Sequence, residues 1–261
     1  MSTTTLAAPV PVNTAGVHTR PGLGRLVAVE LRKMVDTRAG FWLQVAMVAL
    51  TVVVVVVRLL VGDTADHTFQ SVLDAGLQPA AVLLPVLGIL LVTSEWSQRT
   101  GLITFALVPA RSRVLAAKLL ASLLLAVAML AMAVAVVAAG VFVSSPGVEG
   151  TWSDAVPLIG QSAVNLTAGM VRGVALGAIL LASAPAIVLL FALPTAWMAV
   201  GSLPVFSGVA PWVDYARALG QTTEHVMSAT QWAHAGTSLA IWMVLPLLIG
   251  AWRITRREIA S

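Results

Sequence analysis

Read as apolar and polar positions, the chain consists of long apolar runs separated by short polar stretches. The first run extends from Phe41 to about Val61 and contains six consecutive valines from Val52 to Val57. Further runs lie at about Pro79 to Thr93, from near Val114 and strongly apolar between Leu119 and Val143, within Pro157 to Ala182, at about Ala186 to Leu203, and at about Thr237 to Trp252. A helix of roughly 20 apolar residues crosses the hydrocarbon core of a bilayer. The pattern therefore predicts six spanning helices, with Pro85, Gly88 and Pro194 as bending points. Arg58, near the end of the first run, is expected to snorkel to the interface.

Residues 22–38 follow a different rule. Leu23, Leu26, Val27, Leu31, Met34 and Val35 recur at helical spacing, while Arg25, Arg32, Lys33 and Asp36 take the opposite face. Such a helix is too charged to span and is expected to lie along the membrane surface. Glu30 breaks the pattern, because it falls inside the apolar stripe. Either it reaches water from the edge of the stripe, or it pairs with a basic residue of a neighbouring segment. Residues 1–21 are small, polar and proline-containing, without the basic and apolar regions of a signal peptide, and read as a disordered cytoplasmic tail.

Composition agrees. Hydrophobic residues make up 59% of the 261 and charged residues 10%, against about 45–50% and about 25% in soluble domains. The chain has no cysteine, which excludes disulfides, thiolate metal sites and cysteine nucleophiles. A net charge of +4 would suit nucleic acid, but the charges are arranged for a membrane. With both termini in the cytoplasm, the inside segments hold 12 of the 15 basic residues, the exceptions being Arg58, Arg172 and Arg217. Glu30, Asp36, Glu95 and Glu258 are the inside acids, and the other seven of the 11 fall outside. This is the positive-inside asymmetry of a multi-pass inner-membrane (plasma-membrane) protein, and it requires an even number of spans. The fold class expected is thus all-α and polytopic, with six transmembrane helices in residues 39–261, an amphipathic helix before them and both termini cytoplasmic.

No catalytic constellation is visible, and no catalytic or metal-binding residue is expected. His18, His67, His225 and His234 match no ligand spacing, and no paired carboxylates fall within a span. The only lysines, Lys33 and Lys118, do not belong to a phosphate-binding GxxxxGK[ST] loop. Any ATP-driven work would come from another chain. In the fourth apolar run Gly169, Gly173 and Gly177 stand four apart, which suits close helix packing and, secondarily, a substrate surface. Arg172 lies among them, about 18 Å of helix from the cytoplasmic turn. It is expected to pair with backbone carbonyls, to snorkel, or to line a translocation path. Within 203–236, APWVDYARALGQ reads as one short helix closed by Gly220, with Trp212, Ala216 and Leu219 along a stripe.

The polar connector between the second and third runs carries Glu95, Trp96, Arg99-Thr100-Gly101, Pro109-Ala110-Arg111-Ser112-Arg113 and Lys118. This order resembles the cytoplasmic loop of permease subunits of ABC type-2 exporters. LGAILLASAPAIVLLFALPTAW (176–197) is similar to that family's hairpin between the fourth and fifth spans, although Ala182 stands where an arginine is often found. IWMVLPLLIGAWRITRREI (241–259) resembles the last span and basic tail, and residues 22–38, with Glu30, Arg32 and Lys33, resemble the elbow helix. The importer permeases' EAA loop is not visible. The resemblance implies a dimer with a second copy or a paralogue, membrane lipids around it, and no nucleic acid. It also implies a coupling segment within 95–113, where Glu95, Trp96, Arg99, Thr100 and Gly101 dock on a separate ATPase. ATP and Mg would be bound by that partner, and this chain would need no cofactor. Residues 203–236 would form an extracellular cap. The alternative reading of the residues alone is a proton-coupled carrier or an assembly scaffold. Against the carrier, no acid lies inside a predicted span.

Overall fold

The structure is a computed structural model that describes residues 22–61, 67–97, 111–145 and 147–256. Among the described residues it is all-helical. A first helix, α1 (Leu23–Asp36), is followed after Thr37 by α2 (Arg38–Val61), α3 (Phe69–Ser97), α4 (Arg111–Ser144), α5 (Ala155–Leu180) and α6 (Ser183–Gly201). A 3-10 turn (Pro204–Phe206) and two short helices, α7 (Ala210–Val213) and α8 (Tyr215–Gly220), lead to α9 (Ala229–Leu239). A π-helical turn (Ala240–Val244) joins α9 to α10 (Leu245–Arg256). Among the described residues, six segments are long and apolar enough to cross a membrane, the last being the composite Ala229–Arg253.

The corner between α1 and α2 depends on a missing side chain. A β-carbon on Gly40 would run into the Met34 carbonyl and stand 2.7 Å from the Thr37 hydroxyl. With glycine there, Gln44 of α2 reaches back and donates to the Met34 carbonyl at 2.9 Å.

Helix α5 is the hub. Apolar side chains gain little by leaving lipid for one another, so contact between spanning helices must come from close backbone approach. The glycine stripe supplies it. A β-carbon on Gly173 would collide with the Pro85 carbonyl of α3, and one on Gly177 would stand 3.0 Å from the Ile89 carbonyl. Gly88 of α3 returns the contact, its absent β-carbon 2.5 Å from the Met170 carbonyl. On another side Gly250 of α10 rests on Ala178, at 2.7 Å by the same measure. The packing reading of Gly173 and Gly177 holds; Gly169 lies at the edge of the stripe, against the Pro85 ring.

Both ends of the described chain come to one end of this bundle. Val92 of α3, Leu115 of α4, Leu181 after α5 and Ala251 of α10 pack together there, beside the end that α1 covers. The turn between α5 and α6 is only Leu181–Ala182. Leu181 adopts a left-handed conformation (φ 55°) that lets its N–H cap the Gly177 carbonyl at 2.8 Å. This costs about 1–2 kcal/mol for a non-glycine residue, and burial of the Leu181 side chain offsets it.

Three expected boundaries move. Helix α3 starts at Phe69, ten residues before Pro79, so Asp74 sits on a helix instead of in a loop. Gln70, Ser71, Asp74 and Gln78 line one face of those added turns, while Val72, Leu73 and Leu77 are buried. The polar face masked the helix from a hydropathy pattern. The last span starts at Ala229 instead of Thr237, behind a capping box of Ser228 and Gln231. The helix read through APWVDYARALGQ is broken at Asp214, whose carboxylate accepts from Arg217 N–H at 3.0 Å and starts α8 afresh. Its buried stripe is Tyr215, Ala218 and Leu219, while Trp212 and Ala216 remain exposed. Arg58, in the last turn of α2, donates to the Ser71 hydroxyl in the first turn of α3 at 2.9 Å.

Candidate functional site

Two groups of polar side chains lie within the apolar bundle. The first is at the α1 end. Glu30 is buried under α1 and accepts from Lys33 at 2.7 Å through one oxygen and from Lys118 of α4 at 2.7 Å through the other. Glu95 of α3 accepts from Lys33 at 2.8 Å and lies 3.0 Å from the Lys118 ammonium. Lys118 further donates to the Leu91 carbonyl at 3.1 Å. Two carboxylates and two ammonium groups thus close into a neutral square that ties α1 to α3 and α4. Three of its members are nearly inaccessible, and only Lys33 is partly exposed. Burial alone would lower the Lys33 pKa, but its hydrogen bonds and proximity to Glu30 and Glu95 outweigh this and hold it above the ordinary lysine value. Desolvation of four charges is tolerated because each ion has at least two partners of opposite sign or a carbonyl.

The square resolves the anomaly of Glu30 in favour of pairing. Arg32 takes no part; it is exposed and bonds only Asp36, at 2.8 Å. Glu95, expected to face a partner, turns inward, and its carboxylate is committed to Lys33 and Lys118. The Trp96 side chain and residues Arg99, Thr100 and Gly101 lie outside the described residues, as do the tail 1–21 and most of the connector. Lys118 was visible in the sequence only as part of the connector motif. The available signal was arithmetic: the chain has two lysines, and both are in the square.

The second group surrounds Arg172, the single charged residue of α5. Arg172 lies about 12 Å along the helix from Leu180, nearer that end than expected but well inside the span. Its guanidinium carbon sits 3.9 Å above the centroid of the Tyr215 ring, a cation–π contact that is strong when desolvated. Its Nε and Nη1 are buried and hydrogen-bonded to nothing, and among the described residues no carboxylate faces it. The expected pairing with backbone carbonyls is not made by Nε or Nη1 among the described residues.

Tyr215, the chain's sole tyrosine, reaches this depth because the 203–228 segment descends along α5. Gln161 donates to the carbonyls of Thr222 (3.0 Å) and His225 (2.8 Å) and accepts from Met227 N–H at 2.7 Å. One turn deeper Asn165 donates to the Thr222 hydroxyl at 3.1 Å. The Thr223 hydroxyl donates to Asp74 of α3 at 2.6 Å, and Trp242 donates to the Val213 carbonyl at 2.6 Å. From Gln161 to Arg172 the segment follows about 16 Å of helix. It is therefore packed lengthwise against α5.

Helix α6 completes the surroundings. Ala186 and Leu190 pack against Ile89, but from Phe191 to Val200 no residue is buried. Beneath this unpacked half lie two cavities that share Arg172 as wall. One, of about 340 Å³, is lined by Gln78, Asn165, Thr195, Tyr215 and Thr223 together with apolar groups from Leu77 to Pro194. The other, of about 240 Å³, is bounded by Leu176, Ile179, Leu189, Leu193, Ile241 and Trp242. Gly169 lines the first.

No protein-family model matches the chain, and no curated protein matches it. The physical arrangement therefore carries the functional reading.

Proposed function

We propose that this chain is the transmembrane permease subunit of an ATP-driven exporter, working as a dimer at the inner (plasma) membrane with separate ATPase subunits. The observation that carries the reading is the charged square. It welds α1 to the stems of the connector, since Glu95 is two residues before the end of α3 and Lys118 is in the second turn of α4. A push on the connector would move α1, α3 and α4 as one body, which is what rigid-body coupling to an ATPase requires. Resemblance of the Glu95–Lys118 stretch to ABC type-2 permeases supports the same direction. In this arrangement α1 lies on the cytoplasmic surface as an elbow, both termini are cytoplasmic, and residues Trp96 to Gly101 make the ATPase contact. Glu95 acts as a positioning residue behind them. The cavities around Arg172 belong to the path.

A proton-coupled carrier draws some support from Asp74, which stands inside a spanning helix. Asp74 is only five residues from the start of α3 and already bonded to Thr223, a poor position for a relay that must exchange protons across the bilayer.

The test is co-purification with the candidate ATPase and coupled turnover. Replacing Trp96 and Arg99 by alanine should leave the membrane domain folded and should weaken ATPase capture or uncouple hydrolysis from transport. Unchanged capture and unchanged coupled turnover would overturn the reading.

A further inference from the structure

We infer that the space around Arg172 is a binding site for an anionic amphiphile, a molecule with one carboxylate or phosphate head and a hydrocarbon body. Three observations converge. First, Arg172 is a cation without a counter-anion. The Tyr215 ring holds it from one face, its Nε and Nη1 have no hydrogen-bond partner, and among the described residues no acid approaches it. A guanidinium in a membrane interior is costly unless some group answers it, and an anionic head would answer it with charge-assisted hydrogen bonds.

Second, the two cavities that meet at Arg172 differ in chemistry. The one bounded by Gln78, Asn165, Thr195 and Thr223 offers amide and hydroxyl groups for the oxygens of a head. The one bounded by Leu176, Leu189, Leu193 and Ile241 offers hydrocarbon, Arg172 and Trp242 being the lining residues with polar side-chain atoms. A small hydrophilic anion would leave that second chamber empty, and a neutral hydrocarbon would leave Arg172 unanswered. An amphiphile fills both.

Third, the cover over the site is loose. The half of α6 from Phe191 to Val200 has no buried residue, and Pro194, which lines both cavities, interrupts its backbone ladder. A ligand arriving from the bilayer can pass beneath this half-helix without unpacking the α3–α5 contact. As a statement about cargo the inference rests on the exporter reading; as a binding site it stands without an ATPase.

The experiment uses the full chain in phosphatidylcholine nanodiscs, titrated with decyl phosphate, butyl phosphate, decanol and inorganic phosphate while thermal unfolding is followed. Decyl phosphate should raise the unfolding temperature and bind at least tenfold tighter than butyl phosphate, decanol or inorganic phosphate. In Arg172→Leu, and in Arg172→Gln should the leucine variant not fold, the preference for decyl phosphate over decanol should disappear. Leu193→Trp, which narrows the apolar chamber, should erase the advantage of the decyl over the butyl chain and keep the response to charge. Decanol matching decyl phosphate in the native chain would overturn the inference, as would inorganic phosphate matching it or an unchanged preference in both Arg172 variants. Decanoate separates the sources of the head group: binding equal to decyl phosphate supports a site for any single anionic head, and tighter binding of the phosphate supports a phospholipid-like ligand. Decyl phosphate binding as expected, together with unchanged ATPase capture and unchanged coupled turnover in the Trp96 and Arg99 alanine variants, would leave the site standing and remove the exporter reading.

Discussion

Lys118→Met is the most informative single change. It deletes the ammonium that bonds Glu30 at 2.7 Å and the Leu91 carbonyl at 3.1 Å and lies 3.0 Å from Glu95, all at a position 4% exposed. Two buried carboxylates would then share Lys33 alone, leaving one uncompensated negative charge. Breaking a buried pair from one side typically costs about 3–5 kcal/mol. The lower end, about 3 kcal/mol, is expected because Lys33 stays 2.7 and 2.8 Å from the two acids and is partly hydrated. The same reasoning makes a stronger statement about a pair of changes. Glu30→Leu with Lys118→Met removes one charge of each sign and leaves Lys33 facing Glu95, a neutral pair. The double variant should therefore be more stable than Lys118→Met alone, with a coupling of about 1–3 kcal/mol between the positions. Equilibrium unfolding of the four proteins in a mild neutral detergent, followed by tryptophan fluorescence, measures the cycle. Additive losses in the double variant, or a loss under about 1 kcal/mol for Lys118→Met, would refute the existence of the closed square.

Gly173→Ala should strongly destabilise the fold, because the new β-carbon meets the Pro85 backbone, whereas Gly160→Ala, with nothing within 4 Å, should be neutral or slightly stabilising; melting temperatures of the two variants decide it. Gln161→Leu should strand the carbonyls of Thr222 and His225 and the Met227 N–H, at about 1–3 kcal/mol for each buried unsatisfied group. Faster amide exchange across 203–228, with α3 and α5 unaffected, is the expected signature. The raised pKa of Lys33 gives a pH dependence: its folded value exceeds its unfolded one, so its contribution is complete below the unfolded pKa near 10.5 and fades as pH rises through the folded value. Alkaline unfolding should accordingly set in at lower pH in Glu95→Gln than in the native chain. A reporter fused after Ser261 should be active only in the cytoplasm, and periplasmic activity would refute the assigned topology.

The number of spans, their order and the amphipathic α1 were legible because membrane solvation acts on each segment separately. A run such as Val52–Val57 carries its own reason to be buried in lipid, whatever its neighbours do. The glycine spacing of 169, 173 and 177 was legible on the same terms, since close approach needs small residues at helical period. Short-range signals, such as the Ser228–Gln231 capping box and the Asp214 break, are present in the chain but are weaker than the hydropathy around them. Pairing was a different matter. Glu30 and Lys118 are 88 positions apart and meet Glu95 only because α1 folds over the ends of α3 and α4. Arg172 and Tyr215 are brought together only because the 203–228 segment turns inward along α5. A charge in an apolar segment announces that something must answer it, but which group does so is decided by packing. Periodicity along the chain contains no information about distance across it, and for that reason the sequence determined the helices while the tertiary structure alone decided the site.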